Sequence, residues 1–487
     1  STNTIVLQNW MGLSGTNIYV NVNDTGVDVS HPDLVDRVLR GPRTSATDPD
    51  GHGTHVAGIV ASSGLNGPTG PVPGSLENAN FRGMAHGSTI LSFDVFEFFD
   101  WELQEFPART NLVLGKTNAL ISNNSWSYIR AYGYNSAAAS FDAAVRDAIP
   151  GMTGSQPVLF VFAAGNDGAG EDDGSGGFAS SVSSPATAKN VITVGALESF
   201  RNITNEVIQP NRYGIVTTNA EFWGLTDSSN QVVHFSGRGN VGIGIEGDFG
   251  RFKPDVVAPG SFAISTRSGQ WDTNDYYSTV SRASVVFTNL VIERGDTNFF
   301  SLLMPYNTIE YFIGVYPNED SPDPMPPLRI YTNIVRQPST NVNNFAGTNS
   351  INVADEAASS LRNQRLFFDI VNTNNFDVPY DLGVIVWMTN DYGNLFEVLD
   401  SLNEGLGNGN PPPKYRYESG TSMAAPVVSG MLALLQEYFE TQTPEGTPPP
   451  SPALMKALLI NSARSAGGLY DYKIKNNINF QGWGLPN

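Results

Sequence analysis

Cysteine is absent from the 487 residues. Its absence excludes disulfides, thiolate metal sites and cysteine nucleophiles together, and it leaves the redox compartment open. Histidine is scarce, with five residues, so any imidazole chemistry has few candidates. Positive charge is also short: 27 Lys+Arg face 47 Asp+Glu, for a formal charge of -20. That balance disfavours polyanionic partners, both nucleic acid and anionic membrane, and suits a basic or neutral one. No apolar run approaches the roughly 20 residues that span a bilayer; the strongest, "PVLFVFAA" at 157–164, is strand-sized, so the chain reads as soluble. It begins "STNTIVLQ" without Met or a charged-then-apolar leader. Either an upstream signal or pro-segment has been removed, or the sequence simply starts there.

What is present is enough for a full core and more than one domain, with 40% hydrophobic residues. Over 1–270, strand-like runs ("TNIYVNV", "STILSFDVF", "NALISNNSW", "PVLFVFAAG", "NVITVGAL") alternate with helix-compatible stretches ("THVAGIVASS", "AAASFDAAVRDAI"). This alternation predicts βαβ units on a parallel sheet, whose chemistry lies in loops at the carboxyl ends of the strands. Over 271–413 the texture turns to β-branched and aromatic runs divided by Pro, Asn and Gly clusters, which predicts an inserted β-sandwich. After the linker "GNGNPPPK" the first texture returns over 414–487, and Ser451 with Pro452 reads as the start of a helix. No internal repeat is evident.

Ser422, in "GTSMAAP", stands at the start of a helical run among small neighbours. It reads either as a helix N-cap or as a nucleophile supported by the positive end of the helix. A nucleophile needs a base, and the candidates are His31, His52, His55, His86 and His234. His31, before Pro32, is expected to be extended and exposed, and His234 to lie at a strand end. His52 is bracketed by Gly51 and Gly53 in "DGHGTHVAGIV" and is the best base, since such glycines permit close approach. His52 and His55 lack the spacing of four and the intervening glutamate of zinc peptidases. Asp24, following a strand in "YVNVNDTGVD", is placed either to orient the imidazole or to form a turn.

The order Asp24, His52, Ser422 is that of subtilisin. "DTGVDVSHPDL", "GHGTHVAGIV" and "GTSMAAP" resemble the three active-site signatures of the subtilisin-like serine peptidases, the subtilase family. "NNSWS", "FAAGNDG", "FSGRG", "KPDVVAPG" and "GWGLPN" extend the likeness over about 1–270 and 414–487. The resemblance implies an α/β fold, a mostly parallel sheet with helices on both faces, beside an inserted all-β domain that vaguely resembles a jelly roll. It implies that Ser422 attacks the scissile carbonyl, His52 moves the proton, Asp24 orients His52, and Asn166 donates to the oxyanion. Residues Ser125, Trp126 and Ser127 would pair with substrate backbone, with the Trp126 indole either narrowing a subsite or packed in the core. Ala164, Gly165 and Ser183 would bind substrate, Ser183 with Ser184 and Pro185 occupying the stretch that borders the primary pocket.

Asp33 matches an aspartate that ligates structural calcium in many members, although the partner loop "GLNGPTGPVPGSLENANFRGMA" is longer than usual. The acidic loop at 171–177 reads either as a calcium ligand or as a solvated turn. The insert holds no His or Cys; it either recruits a polymeric substrate or walls the cleft. Together these imply a secreted endopeptidase acting on protein or peptide substrates, monomeric, with no catalytic metal. The competing readings are a limited-specificity processing peptidase and a binding protein that works through the insert.

Overall fold

The computed structural model describes residues 11–41, 44–67, 72, 75, 79–128, 131–210, 215–272, 280–305, 307–338, 343–354, 363–389, 392–406, 413–444, 446–467 and 478–487. Most of the linker "GNGNPPPK" lies outside these residues, as does much of the loop after residue 67. The chain divides into two units: Ser1–Glu206 with Ala220–Thr273 and Val398–Asn487, and Val207–Asn219 with Asn274–Glu397.

The first unit is built on a seven-stranded sheet. Its strands are β1 (Tyr19–Asp24), β2 (Val38–Arg40), β3 (Thr89–Asp94), β4 (Leu120–Asn124), β5 (Val158–Ala163), β6 (Ile192–Leu197) and, after a hairpin in the other unit, β9 (Val256–Pro259). The order is β2-β3-β1-β4-β5-β6-β9, and every pairing is parallel. β5, VLFVFA, is buried throughout because both faces of the sheet are covered. Val158, Phe160 and Phe162 enter one core, and Leu159, Val161 and Ala163 the other. Helices α2 (Asp100–Val113) and α3 (Ser136–Ala144) contribute to the first of these cores, and α1 (His52–Ala61), α4 (Thr421–Gln442) and α5 (Pro452–Ser462) to the second. The parallel α/β architecture expected from the alternation is present. α2 was not foreseen, because Pro107 and a mixed aromatic and acidic sequence give it no clear apolar stripe. Ser451 does cap α5, its hydroxyl accepting from Leu454 N at 3.2 Å, with Pro452 at the first helical position.

From β1 the chain builds β2 and β3 on one side, then crosses to β4 on the other. The carboxyl ends of β1 and β4 therefore flank the point where the order reverses, where open α/β sheets form their crevice. Asp24 closes β1, and Ser125 follows β4.

The second unit is antiparallel. It holds the hairpin β7 (Val207–Pro210) and β8 (Val216–Asn219), and a ladder of β11 (Val280–Ile292), β12 (Thr297–Leu303), β13 (Thr308–Tyr316), β14 (Arg329–Asn333), β15 (Phe345–Thr348), β16 (Ser350–Ala354), β17 (Arg365–Val371) and β18 (Val378–Thr389). Two four-stranded groups, β11-β18-β13-β16 and β15-β14-β17-β12, meet through the single pair Thr348 and Ser350, and both supply one apolar core. The unit differs in extent from 271–413. It takes in the 207–219 hairpin, where Ile208 N donates to Asn394 Oδ1 at 2.7 Å, and it closes at Glu397. A hairpin some fifty residues upstream of the insert leaves no local sign of that partnership. The remaining pair, β10 (Ala263–Thr266) and β19 (Tyr415–Glu418), belongs to the first unit.

Candidate active site

Gly51, at φ +82°, caps α1 in the left-handed conformation open to glycine, and His52 is the first residue of the helix. A Cβ on Gly53 would stand 2.0 Å from the Gly26 carbonyl and 3.1 Å from the Asp24 Cβ. The two glycines thus let the helix end rest directly on the turn after β1. The result is a hydrogen bond of 2.6 Å from His52 Nδ1 to Asp24 Oδ1, which also accepts from Thr25 N at 2.9 Å. With Nδ1 committed to the carboxylate, Nε2 is the nitrogen left for proton transfer. Burial opposes charge on His52, but Asp24, with Glu418 and Asp50, outweighs it and raises the pKa above the ordinary 6.5.

Asp48 was not singled out in the sequence, although it lies three residues before Gly51 in "DPDGHGTH". Its Oδ1 accepts from Thr25 Oγ1 and Gly51 N, both at 2.8 Å, and its Oδ2 from Thr54 N at 2.7 Å and Thr54 Oγ1 at 2.5 Å. One carboxylate therefore ties the turn after Asp24 to the first turn of α1. Burial pushes its pKa up to about 6 against those hydrogen bonds.

Ser422 is the second residue of α4. Pro426 has no N–H to return to the carbonyl four residues back, which is that of Ser422. Ser125 Oγ fills the gap, donating to Ser422 O at 2.8 Å, while Ser422 Oγ donates to Ser125 O at 3.0 Å. The resting hydroxyl thus points at the Ser125 carbonyl, and among the described residues no hydrogen bond joins it to His52. Asn166 Oδ1 accepts from Thr421 N at 2.9 Å and Thr421 Oγ1 at 2.8 Å. That acceptor pair fixes the amide so that Nδ2 is its free donor, on an exposed side chain one residue away from Ser422's helix end.

The residues expected to bind substrate fall into two groups. Gly165, at φ +95°, would bring a Cβ within 2.7 Å of Ser183 Oγ, and Ser183 N donates to Ala164 O at 3.0 Å, so these three are packed together. Residues 125–127 run past the end of β4, with Ser125 buried and Trp126 and Ser127 partly exposed. Trp126 is largely a core residue. Its ring packs edge-on against Phe162 at 5.6 Å and Phe141 at 6.1 Å, and its Nε1 donates to Asn124 Oδ1 at 3.3 Å. Tyr128, in edge contact with Trp126, helps line a cavity of about 510 Å³ with Phe98, Phe99, Asp100 and Trp101.

Asp33 does not fit a calcium ion. Its Oδ1 accepts from Ser63 Oγ, Asn66 N and Asn66 Nδ2 at 2.9, 3.1 and 2.8 Å, and its Oδ2 from Ser62 Oγ at 3.2 Å and from the Tyr415 hydroxyl. The lone pairs that a hard cation needs are taken by donors. His31 is buried rather than exposed, because its Nδ1 accepts from Asp33 N at 3.1 Å and its Nε2 lies 2.8 Å from the Lys414 carbonyl. His55 is fully buried on the Arg416 carbonyl, with burial and Arg416 holding its pKa well below 6.5, so it is a neutral packing residue. His234 is exposed in a turn.

The model of the subtilase family matches residues 15–289 and 398–484, about three quarters of the chain. Serine protease AprX of Bacillus subtilis (strain 168) is 28% identical over 290 residues, 58% of this chain and 54% of its own. The major intracellular serine protease of the same organism is 29% identical over 246 residues, 46% of this chain and 68% of its own. The alkaline proteinase of Hapsidospora chrysogena is 31% identical over 195 residues, covering 38% and 39%. The chain thus spans about half the length of AprX and less of the fungal enzyme. Among solved structures, a cold-adapted subtilisin-like serine proteinase aligns over 98% of this chain and 90% of its own, at 16% identity and a TM-score of 0.41. Fervidolysin from Fervidobacterium pennivorans aligns over 98% and 42%, at 19% identity and a TM-score of 0.42.

Proposed function

The chain belongs to the subtilase family, and from that premise we propose that it is a serine endopeptidase that cleaves protein substrates through an acyl-enzyme on Ser422. The observation that carries the proposal is the 2.6 Å bond between His52 Nδ1 and Asp24, which sets the tautomer an imidazole base needs. Ser422 Oγ turns from the Ser125 carbonyl to His52 Nε2, gives up its proton and attacks the carbonyl carbon. Asn166 Nδ2 and the Ser422 N–H stabilise the oxyanion. His52 then protonates the leaving amine, and water repeats the sequence to release the acid.

Substrate backbone lies along residues 125–127, and the aromatic cavity beside Tyr128 takes an apolar side chain. The β-rich unit recruits a polymeric substrate or restricts the cleft; deleting it separates these, since loss on polymer alone marks recruitment. Export from the cell belongs to the same proposal, supported by the charge of -20. Because one relative is named an intracellular protease, fractionation of the native host decides the location.

The test is labelling by a fluorophosphonate, comparing the parent with Ser422→Ala and reading the labelled mass. Labelling of the parent alone supports the peptidase. A folded parent that resists the probe favours a binding protein, a reading to which the Ser422 hydroxyl's bond to Ser125 O lends its one support.

A further inference from the structure

Beyond the end of β6 the chain makes a short antiparallel contact that has no part in the triad. Leu197 bridges Val232, Val233 N donates to Ala196 O at 3.0 Å, and Glu198 N donates to Gln231 O at 3.0 Å. This register sets Glu198 and Gln231 opposite each other, and residues so paired carry their side chains on one face, with Cβ atoms about 5 Å apart. Asp227 reaches the same place from a segment held by Thr226, whose carbonyl accepts from Arg201 N and Asn202 N and whose hydroxyl accepts from Ile203 N.

Four oxygens at this place are buried and have no hydrogen-bond donor: Glu198 Oε1 and Oε2, Asp227 Oδ1 and Gln231 Oε1. Glu198 is only 1% exposed. The Asp227 carboxyl and the Ser228 N–H lie near enough to act on its charge, but neither completes a hydrogen bond to it. The other charge bearing on it is Asp172, also acidic. The Asp172 carboxylate rests on the turn at Trp223–Leu225, where a Cβ on Gly224 would fall 1.6 Å from its Oδ1. A buried acceptor without a donor costs about 1–3 kcal/mol, and more when charged. Here two carboxylates act on each other, and the backbone pairing sets the Gln231 amide beside Glu198.

We propose that Glu198, Asp227 and Gln231 bind a hard divalent cation of the calcium type, which ties the 221–228 segment to the end of β6. Two carboxylates and an amide oxygen match the ligand chemistry of calcium, which takes six to eight oxygens in flexible geometry and completes its shell with water. Among the described residues no three His, Cys, Asp or Glu side chains are grouped so as to hold a metal ion, so here the third protein ligand is the Gln231 amide oxygen. Without the ion, burial and then Asp227 push the Glu198 carboxyl up to about 9, so that a proton takes the place of the cation.

The site stands apart from the peptidase reading, and its test does not use activity. The full chain carrying Ser422→Ala, which prevents self-digestion, is stripped with a chelator at neutral pH. It is then titrated with calcium chloride by calorimetry while the melting temperature is followed. We expect saturable binding and a melting temperature that climbs with calcium. Added Glu198→Gln keeps the shape, removes the charge and weakens binding roughly tenfold or more. Asp227→Asn, an independent variant, gives the same loss. No response of the parent to roughly 10 mM calcium, above the weakest protein affinities, overturns the site. So does a response that both variants retain, which would place the ion elsewhere.

Discussion

The two units bury different things. The β-rich unit closes over Ile313, Ile330, Phe368, Ile370, Val384 and their neighbours, and the polar residues it buries, among them Thr332, Asp369 and Asn372, are dispersed along its strands and turns. The parallel sheet of the first unit buries a run of polar side chains at the adjoining ends of β1 and β4. Asn21 Nδ2 donates to Asn23 Oδ1, Asn23 Nδ2 to Asn124 Oδ1, and Asn123 Nδ2 to Ser125 Oγ, while Asn123 Oδ1 accepts from Ser429 Oγ on α4. Burying amides costs free energy unless the groups are paired; apart from Asn21 Oδ1, the amide atoms named here have partners, and paired groups in a low dielectric hold one another in place. These bonds form two groups: Asn21, Asn23 and Asn124 meet at Ser122 Oγ, whereas Asn123, bonded to Ser429, leads to Ser125, which holds the carbonyl of Ser422. In the first unit, then, part of the buried polar structure holds the backbone of Ser422 in place.

Substitutions can break or sharpen that division. Ser422→Ala should fold normally and lose about 10⁶-fold in kcat, read with a peptide substrate at high enzyme concentration. Asp24→Asn should lose about 10⁴-fold, since the asparagine favours the wrong tautomer. In the parent, the base must be neutral and its pKa is raised, so the acid limb of the kcat/KM profile should lie above pH 6.5. By the same sign, the stability contributed by the His52–Asp24 pair is complete below the unfolded value of about 6.5 and fades as pH rises through the folded one. An acid limb at or below 6.5 would contradict the electrostatics of the pair.

Asn166→Ala should cost about 10²–10³-fold in kcat with KM nearly unchanged, because the lost hydrogen bond forms only with the oxyanion. The smallest effect on chemistry should come from the other unit. Ile370→Ala should cost about 2–5 kcal/mol in its unfolding, seen in a melting scan, yet leave kcat on a short peptide within a few-fold. If Ile370→Ala instead silences the enzyme as Ser422→Ala does, the division fails.

The pairing of His52 with Asp24 was legible because it is written in a short contiguous signature: "GHG" encodes both the helix cap and the close approach to Asp24. Asn166 was legible in the same way, and Thr421, which orients it, sat unnoticed in "GTS". What escaped required residues far apart in sequence. Asp33 looked like a metal ligand until Ser62, Ser63, Asn66 and Tyr415 were seen to hydrogen-bond it. His31 was read from Pro32 alone, whereas the Lys414 carbonyl, nearly four hundred positions on, decides its burial. Glu198 drew no notice at the end of a strand-like run, because the residues that crowd it lie some thirty positions later.

By withholding one N–H, Pro426 loosens the first turn of a long helix from the turn above, and Ser125 clamps that turn from outside. Ser422 is then held by its own carbonyl, while its hydroxyl makes a separate bond to Ser125 O. In the proposed mechanism, rest and reaction would differ by one torsion, about the Cα–Cβ bond, a single rotor on a fixed bearing.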